Sequence, residues 1–130
     1  MKDLLVSIDR KLLQAIFESA RRLHPRETIL PLRRGKSKGN SIKISELLFP
    51  PLATCGMGFA NVPIHMFPID FSIVGMVHSH PSGNSALSTT DLNHFFGSIL
   101  MIVASPYKDE RNVAIYNRQG NKLILQIMET

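Results

Sequence analysis

The 130-residue sequence predicts an α/β or α+β domain in which helices lie against one sheet. Three observations predict it. Apolar residues recur at helical spacing early in the chain, at Leu12, Leu13, Ile16, Phe17, Ala20 and Leu23. Two short apolar runs, Ser72 to Val77 and Ile99 to Ala104, have the length and composition of buried strands. The last third alternates as a hairpin would, Val113 to Asn117 and Lys122 to Met128, around Arg118-Gln119-Gly120-Asn121.

Each element has a local reason. Arg10, Lys11, Glu18, Arg21 and Arg22 occupy the polar face of the first helix. Ser7 or Asp9 can cap it, and His24-Pro25 should end it, because a proline disfavours helical backbone in the residue before it. Thr28 to Arg34 reads as a strand, Gly35 to Asn40 as a turn and Ser41 to Phe49 as a second strand. The segment from Pro50 to Phe59 is too rich in Gly and Pro for regular structure, yet too apolar for an idle loop. Asn61 to Met66 reads as an edge strand, since Pro63 cannot donate to a ladder. Thr89 to Phe96 looks helical after a Gly/Asn/Ser loop.

Length and composition narrow the function. A chain this long fits one domain, taken as residues 1–130, and buries roughly two-thirds of its unfolded surface without staples. Its one cysteine, Cys55, excludes an intrachain disulfide and an all-cysteine zinc site, and suits a reducing compartment, most simply the cytoplasm. No run reaches the roughly 18 apolar residues of a membrane span, and the N-terminus lacks a signal-peptide core. Residues 1–43 carry a net charge of +7, residues 44–130 one of −2, and Ile44 to Tyr107 contains no Lys or Arg. A basic third can meet nucleic acid or an acidic protein, or simply be a solvated face. It lacks the interleaved aromatics of a single-strand binder, which argues against nucleic acid.

The chemistry concentrates after the first apolar run. His78 and His80 stand two apart at a strand end, so both imidazoles leave one face. Asp91 follows eleven residues after His80 as a hard oxygen donor. Two His and one carboxylate leave a fourth tetrahedral position for water, whose pKa on zinc falls to about 7. Ser88 precedes Asp91 by three, a spacing that also makes a helix capping box whether or not a metal is present. A His-x-His pair is likewise often just two polar residues at a strand end.

Taken together, His78-Ser79-His80, seven residues, Ser88, two residues and Asp91 match without a gap the signature of the JAMM, or MPN-plus, metalloprotease family. The loop Pro81-Ser82-Gly83-Asn84 is similar to that family too, and His24-Pro25-Arg26-Glu27-Thr28 resembles its upstream glutamate element. The resemblance spans about residues 8 to 128 and implies an α/β fold, a single mixed β-sheet with flanking helices of the cytidine-deaminase-like kind. It implies one Zn2+ per chain on His78, His80 and Asp91, Glu27 as general base and acid, and Ser88 as oxyanion stabiliser. One departure bears on Glu27. Family members commonly carry Gly three and seven residues after the Glu, where this chain has Leu30 and Arg34, with Pro31 between.

The implied substrate is the C-terminal tail of a ubiquitin-like or sulfur-carrier protein, cleaved at a peptide or isopeptide bond. Pro50 to Phe59 is a candidate substrate flap or a packed insertion. The sequence leaves a homodimer open. The alternative is a non-catalytic MPN scaffold or a RadC-type nucleic-acid-associated protein, although scaffolds typically lack the ligands. His94, one helical turn after Asp91, is not part of the family pattern; His24 and His65 read as packing or surface, and Cys55 as a small hydrophobe.

Overall fold

The computed structural model describes residues 4–35, 39–48, 72–93 and 97–129. Seven strands and two helices follow in the order β1 (Leu5–Asp9), α1 (Arg10–Leu23), β2 (Ile29–Arg34), β3 (Ser41–Leu47), β4 (Ile73–His80), α2 (Thr89–Asn93), β5 (Ile99–Ala104), β6 (Val113–Asn117) and β7 (Lys122–Met128). They form one mixed sheet in the spatial order β1-β3-β2-β4-β5-β6-β7, and β7 pairs back onto β1 to close it. β1 runs parallel to both neighbours and β4 parallel to β5; the other pairings are antiparallel. The expected mixed α/β sheet with flanking helices is therefore present, with closure added.

The strand the sequence reading passed over is β1. Leu5-Val6-Ser7-Ile8-Asp9 alternates, with Val6 and Ile8 fully buried, but it runs into α1 with no intervening turn residue. Ser7 is consequently in the strand, and Asp9 takes the N-cap position in extended backbone without a side-chain capping bond. α1 ends where expected, at His24. β2 begins at Ile29 rather than Thr28. The expected strand 61–66, the segment 50–59, Phe49, Cys55, His65 and His94 lie outside the described residues.

Burial explains why β5 reads as an unbroken apolar run. All six of its residues are buried, because both faces of β4–β6 are covered. On one face Leu13, Ile16, Phe17 and Ala20 of α1 pack over Val77, Met101, Val103 and Ile115. Each of the large side chains contributes about 1.5–3 kcal/mol by leaving water. On the other face Met76, Leu100, Ile102, Ala114 and Tyr116 form a second cluster with Ile29 and Leu87. β7, with one face solvated, alternates strictly between exposed and partly buried residues.

Two glycines permit the close approach of β4 and β5. A Cβ on Gly75 would lie 1.9 Å from the Ile99 carbonyl oxygen. A Cβ on Gly97, at φ +86°, would lie 2.4 Å from the Val74 carbonyl oxygen. Pro31 sits inside β2 opposite Met76 without breaking it, and Leu30 is buried in the core opposite Val77. The ladder absorbs this by register shifts at Leu32/Arg33 and Arg33/Arg34, beyond the end that carries Glu27.

Candidate metal centre and its cleft

β4 ends in the loop 81–88, and the pleat decides what faces where. His78 and His80 leave the face that carries Met76, while Ser79 points the other way, toward the α1 side. α2 begins at Thr89, capped by Ser88. The Ser88 hydroxyl accepts the Asp91 backbone N–H at 3.0 Å, and the Asp91 carboxylate accepts the Ser88 backbone N–H at 2.9 Å. That is a capping box, so the structural reading of Ser88-x-x-Asp91 holds. The same box delivers the buried Asp91 carboxylate to the two imidazoles.

The three donors converge. His78 Nδ1 is 3.0 Å from Asp91 Oδ1, and His80 Nε2 is 3.3 Å from Oδ1 and 3.2 Å from Oδ2. Among the described residues no three such side chains are spread as a ready metal cage; these donors contact one another instead. Their separations nevertheless suit a shared cation. Ligands about 2.0–2.1 Å from a tetrahedral zinc lie about 3.3 Å from each other.

The ring nitrogens of His80 make the same point. His80 Nδ1 donates to the Asn84 carbonyl at 2.8 Å, so in the neutral ring Nε2 is an acceptor facing an acceptor carboxylate. A cation between them satisfies both. His78 Nε2 is buried with no hydrogen-bond partner. Burial pushes the Asp91 pKa up, but hydrogen bonds from His78 and from the Ser88 side chain and backbone outweigh it and hold the carboxyl well below its usual range. An ionised carboxylate with two imidazoles is the donor set zinc takes in catalytic centres.

Glu27 reaches the same place from just before β2. Ile29 pairs with His78 at the end of the ladder, and one further step brings Thr28 to Ser79. That step is made by hydrogen bonds. Ser79 N–H donates to the Thr28 carbonyl at 3.0 Å and Thr28 N–H donates to Ser79 Oγ at 2.8 Å. Glu27 precedes that pair by one residue and lines the same cleft as His80. There a cavity of about 390 Å3 is lined by Glu27, His80, Ser88 and Asp91 with residues of the 81–86 loop, while buried His78 lies behind them.

The described structure therefore brings all five expected residues together, and β2 carries Glu27 to the cleft despite Leu30 and Pro31. Sequence reasoning missed two supports. One is the Asn84 carbonyl on His80, and the other is the Thr28–Ser79 pair. The second had a signal: a residue between two same-face histidines must point to the opposite face.

Residues 9–118 match the family described as prokaryotic homologs of the JAB domain. The chain belongs to this family. It is 29% identical over 109 residues to a probable metalloprotease of Haloferax volcanii, covering 79% of this chain and 68% of that one. It resembles a solved structure of a JAB1/MPN domain protein from Archaeoglobus fulgidus at 32% identity and TM-score 0.66, covering 98% of this JAB-family chain and 100% of the other. A structure described as a JAMM metalloprotease-like zinc site in the proteasome and signalosome matches at 30% identity and TM-score 0.64, with coverage of 98% and 100%. A Desulfitobacterium hafniense protein, 15% identical at TM-score 0.62 over 96% of this chain and 94% of that one, shares the fold. The metalloprotease character of the first relatives agrees with the donor set of this JAB-family chain.

Proposed function

We propose that this chain is a zinc-dependent metallopeptidase that hydrolyses a peptide or isopeptide bond at the C-terminal tail of a ubiquitin-like or sulfur-carrier protein. The observation that carries the reading is the single cleft that Glu27, His80, Ser88 and Asp91 line together. Family membership and the relatives named above support the chemistry. The tail as substrate rests on the family resemblance.

His78, His80 and Asp91 would hold the ion. Zinc, when bound, supplies Lewis acidity and a nucleophile at neutral pH. Glu27 takes a proton from the attacking water. As the water oxygen bonds to the carbonyl carbon, negative charge grows on the amide oxygen, and the Ser88 hydroxyl donates to it. Glu27 then returns the proton to the leaving nitrogen as the C–N bond breaks, giving an amine and a carboxylic acid that loses its remaining proton to solvent. The half-open cleft leaves Glu27 exposed to solvent, which suits a group that must exchange protons in each turnover.

The test pairs metal analysis with cleavage. Purified protein should hold one zinc, the His78→Ala variant none, and cleavage of a ubiquitin-like fusion at its tail should stop with chelator and return with zinc. A metal-free protein that cuts the fusion overturns the reading. Tight, steeply salt-dependent binding of duplex DNA without cleavage would favour the nucleic-acid-associated alternative.

A further inference from the structure

The face of the sheet opposite the cleft carries a buried polar group that the mechanism leaves unused. Ser79 is 1% exposed and Thr28 4%. Ser79 Oγ accepts the Thr28 backbone N–H at 2.8 Å and the Thr28 hydroxyl at 3.0 Å, and the Thr28 carbonyl accepts Ser79 N–H. With both acceptor positions of Ser79 filled from Thr28, its own proton points elsewhere. The neighbouring oxygen is the Tyr107 hydroxyl, which is buried and has no partner at full hydrogen-bond geometry.

Tyr107 is itself over-determined. It is 1% exposed and sits at φ +58°, a left-handed conformation that a bulky residue adopts only where its surroundings hold it. Its carbonyl accepts from the Arg21 guanidinium, its N–H donates to Ala104 at 2.9 Å, and its ring meets His24 edge-on with centroids 5.9 Å apart. Arg21 and His24, at the C-terminal end of α1, thus anchor Tyr107.

Glu27 is bracketed by this arrangement. On one side Arg26 N–H is bonded to the Leu23 carbonyl at 2.7 Å, at the end of α1; on the other, Thr28 is fixed to Ser79 in both directions. The ladder proper ends at Ile29↔His78, so the 28–79 pair is the last restraint before Glu27.

We infer that Thr28, Ser79 and Tyr107 are positioning residues that hold Glu27 in the cleft that His80 lines. Ser79 gives the segment 78–80 two functions, with metal donors on one face and the anchor of the base on the other. This inference rests on the reading of Glu27 as the base.

The test is a double-mutant cycle on the zinc-loaded full chain, with a fluorogenic amide of a ubiquitin-like C-terminal peptide as probe. Ser79→Ala should lower kcat about 10- to 100-fold, in line with small misplacement of a reacting group, while KM and zinc content stay unchanged. Ser79→Thr, which keeps the hydroxyl, should recover most of it. In a Glu27→Ala background, Ser79→Ala should add less than about 2-fold, since the group it positions is gone. Tyr107→Phe, isosteric and folded whether or not Ser79→Ala is, should lower kcat about 3- to 10-fold. Backbone amide exchange at Thr28 should quicken in Ser79→Ala and not in Glu27→Ala.

Wild-type kcat in both Ser79→Ala and Tyr107→Phe, or a full additional loss on the Glu27→Ala background, overturns the inference. So does loss of zinc in parallel with loss of rate. Full activity of Glu27→Ala alone instead overturns the reading of the base. The anchor is then judged by Thr28 exchange, and unchanged protection in Ser79→Ala overturns it.

Discussion

Ser88 and Asp91 hydrogen-bond to each other in both directions: the Ser88 hydroxyl donates to Asp91 Oδ2 at 2.7 Å and accepts the Asp91 backbone N–H at 3.0 Å. The proposed oxyanion donor is thus committed to a proposed metal ligand, and must turn its proton toward substrate during reaction. Ser88→Ala removes the helix cap and one support of the carboxylate together. Zinc affinity of chelator-stripped protein, followed by calorimetric titration, should fall about 10-fold or more, and Ser88→Thr should restore it.

Glu27 has no part in holding the ion in the proposed mechanism. Glu27→Gln should keep full zinc occupancy while the cleavage rate falls by about 10² or more. Metal analysis and initial rates on one preparation check this. A variant that retains the rate removes Glu27 from the chemistry.

The chain has two tyrosines and no tryptophan, so phenolate absorbance reports Tyr107 and Tyr116 alone. Burial is the main cause that raises both above the ordinary phenol value. Because the unfolded chain ionises first, their contribution to stability is complete below about pH 10 and is lost as pH rises toward the raised folded values. Absorbance should therefore rise together with unfolding rather than before it. Two phenols that titrate independently in the folded protein would contradict this.

Gly75 lies where any side chain would enter the Ile99 carbonyl. Gly75→Ala must push β4 from β5 next to His78 and His80, and should cost roughly 3 kcal/mol or more. Thermal unfolding of the metal-free variant measures it. The same change at the exposed turn glycine Gly39, where a Cβ would meet nothing within 4 Å, should cost less despite its φ of +63°.

Where one physical signal dominated, the sequence was a good guide. β5, β6 and β7 fall on their expected bounds, the doubly covered β5 as an unbroken apolar run and the half-solvated β7 as an alternation. His78, His80, Ser88 and Asp91 were legible through spacing, since a pleat and a capped helix start convert it directly into proximity, whereas Glu27 entered only through the family resemblance. β1 was not, because five alternating residues fused to a helix carry no boundary of their own. Nor was closure of the sheet, which depends on pairing Leu5–Asp9 with Ile124–Met128. Tyr107 was invisible for a similar reason: its neighbours come from α1, β2 and β4, and no local pattern marks it.

The closure of β1 onto β7 also constrains how this fold is reached. Val6 finds Leu125 across more than a hundred residues, and Ile8 finds Ile127. Such pairing raises contact order and should slow the final folding step relative to a helical domain of equal size. During synthesis α1 and the β2–β3 hairpin can form early, yet β1 keeps one bare flank until β7 leaves the ribosome. The metal donors, encoded well before β7, would by then already be placed on β4 and α2, so the centre can assemble on a barrel still open at its seam.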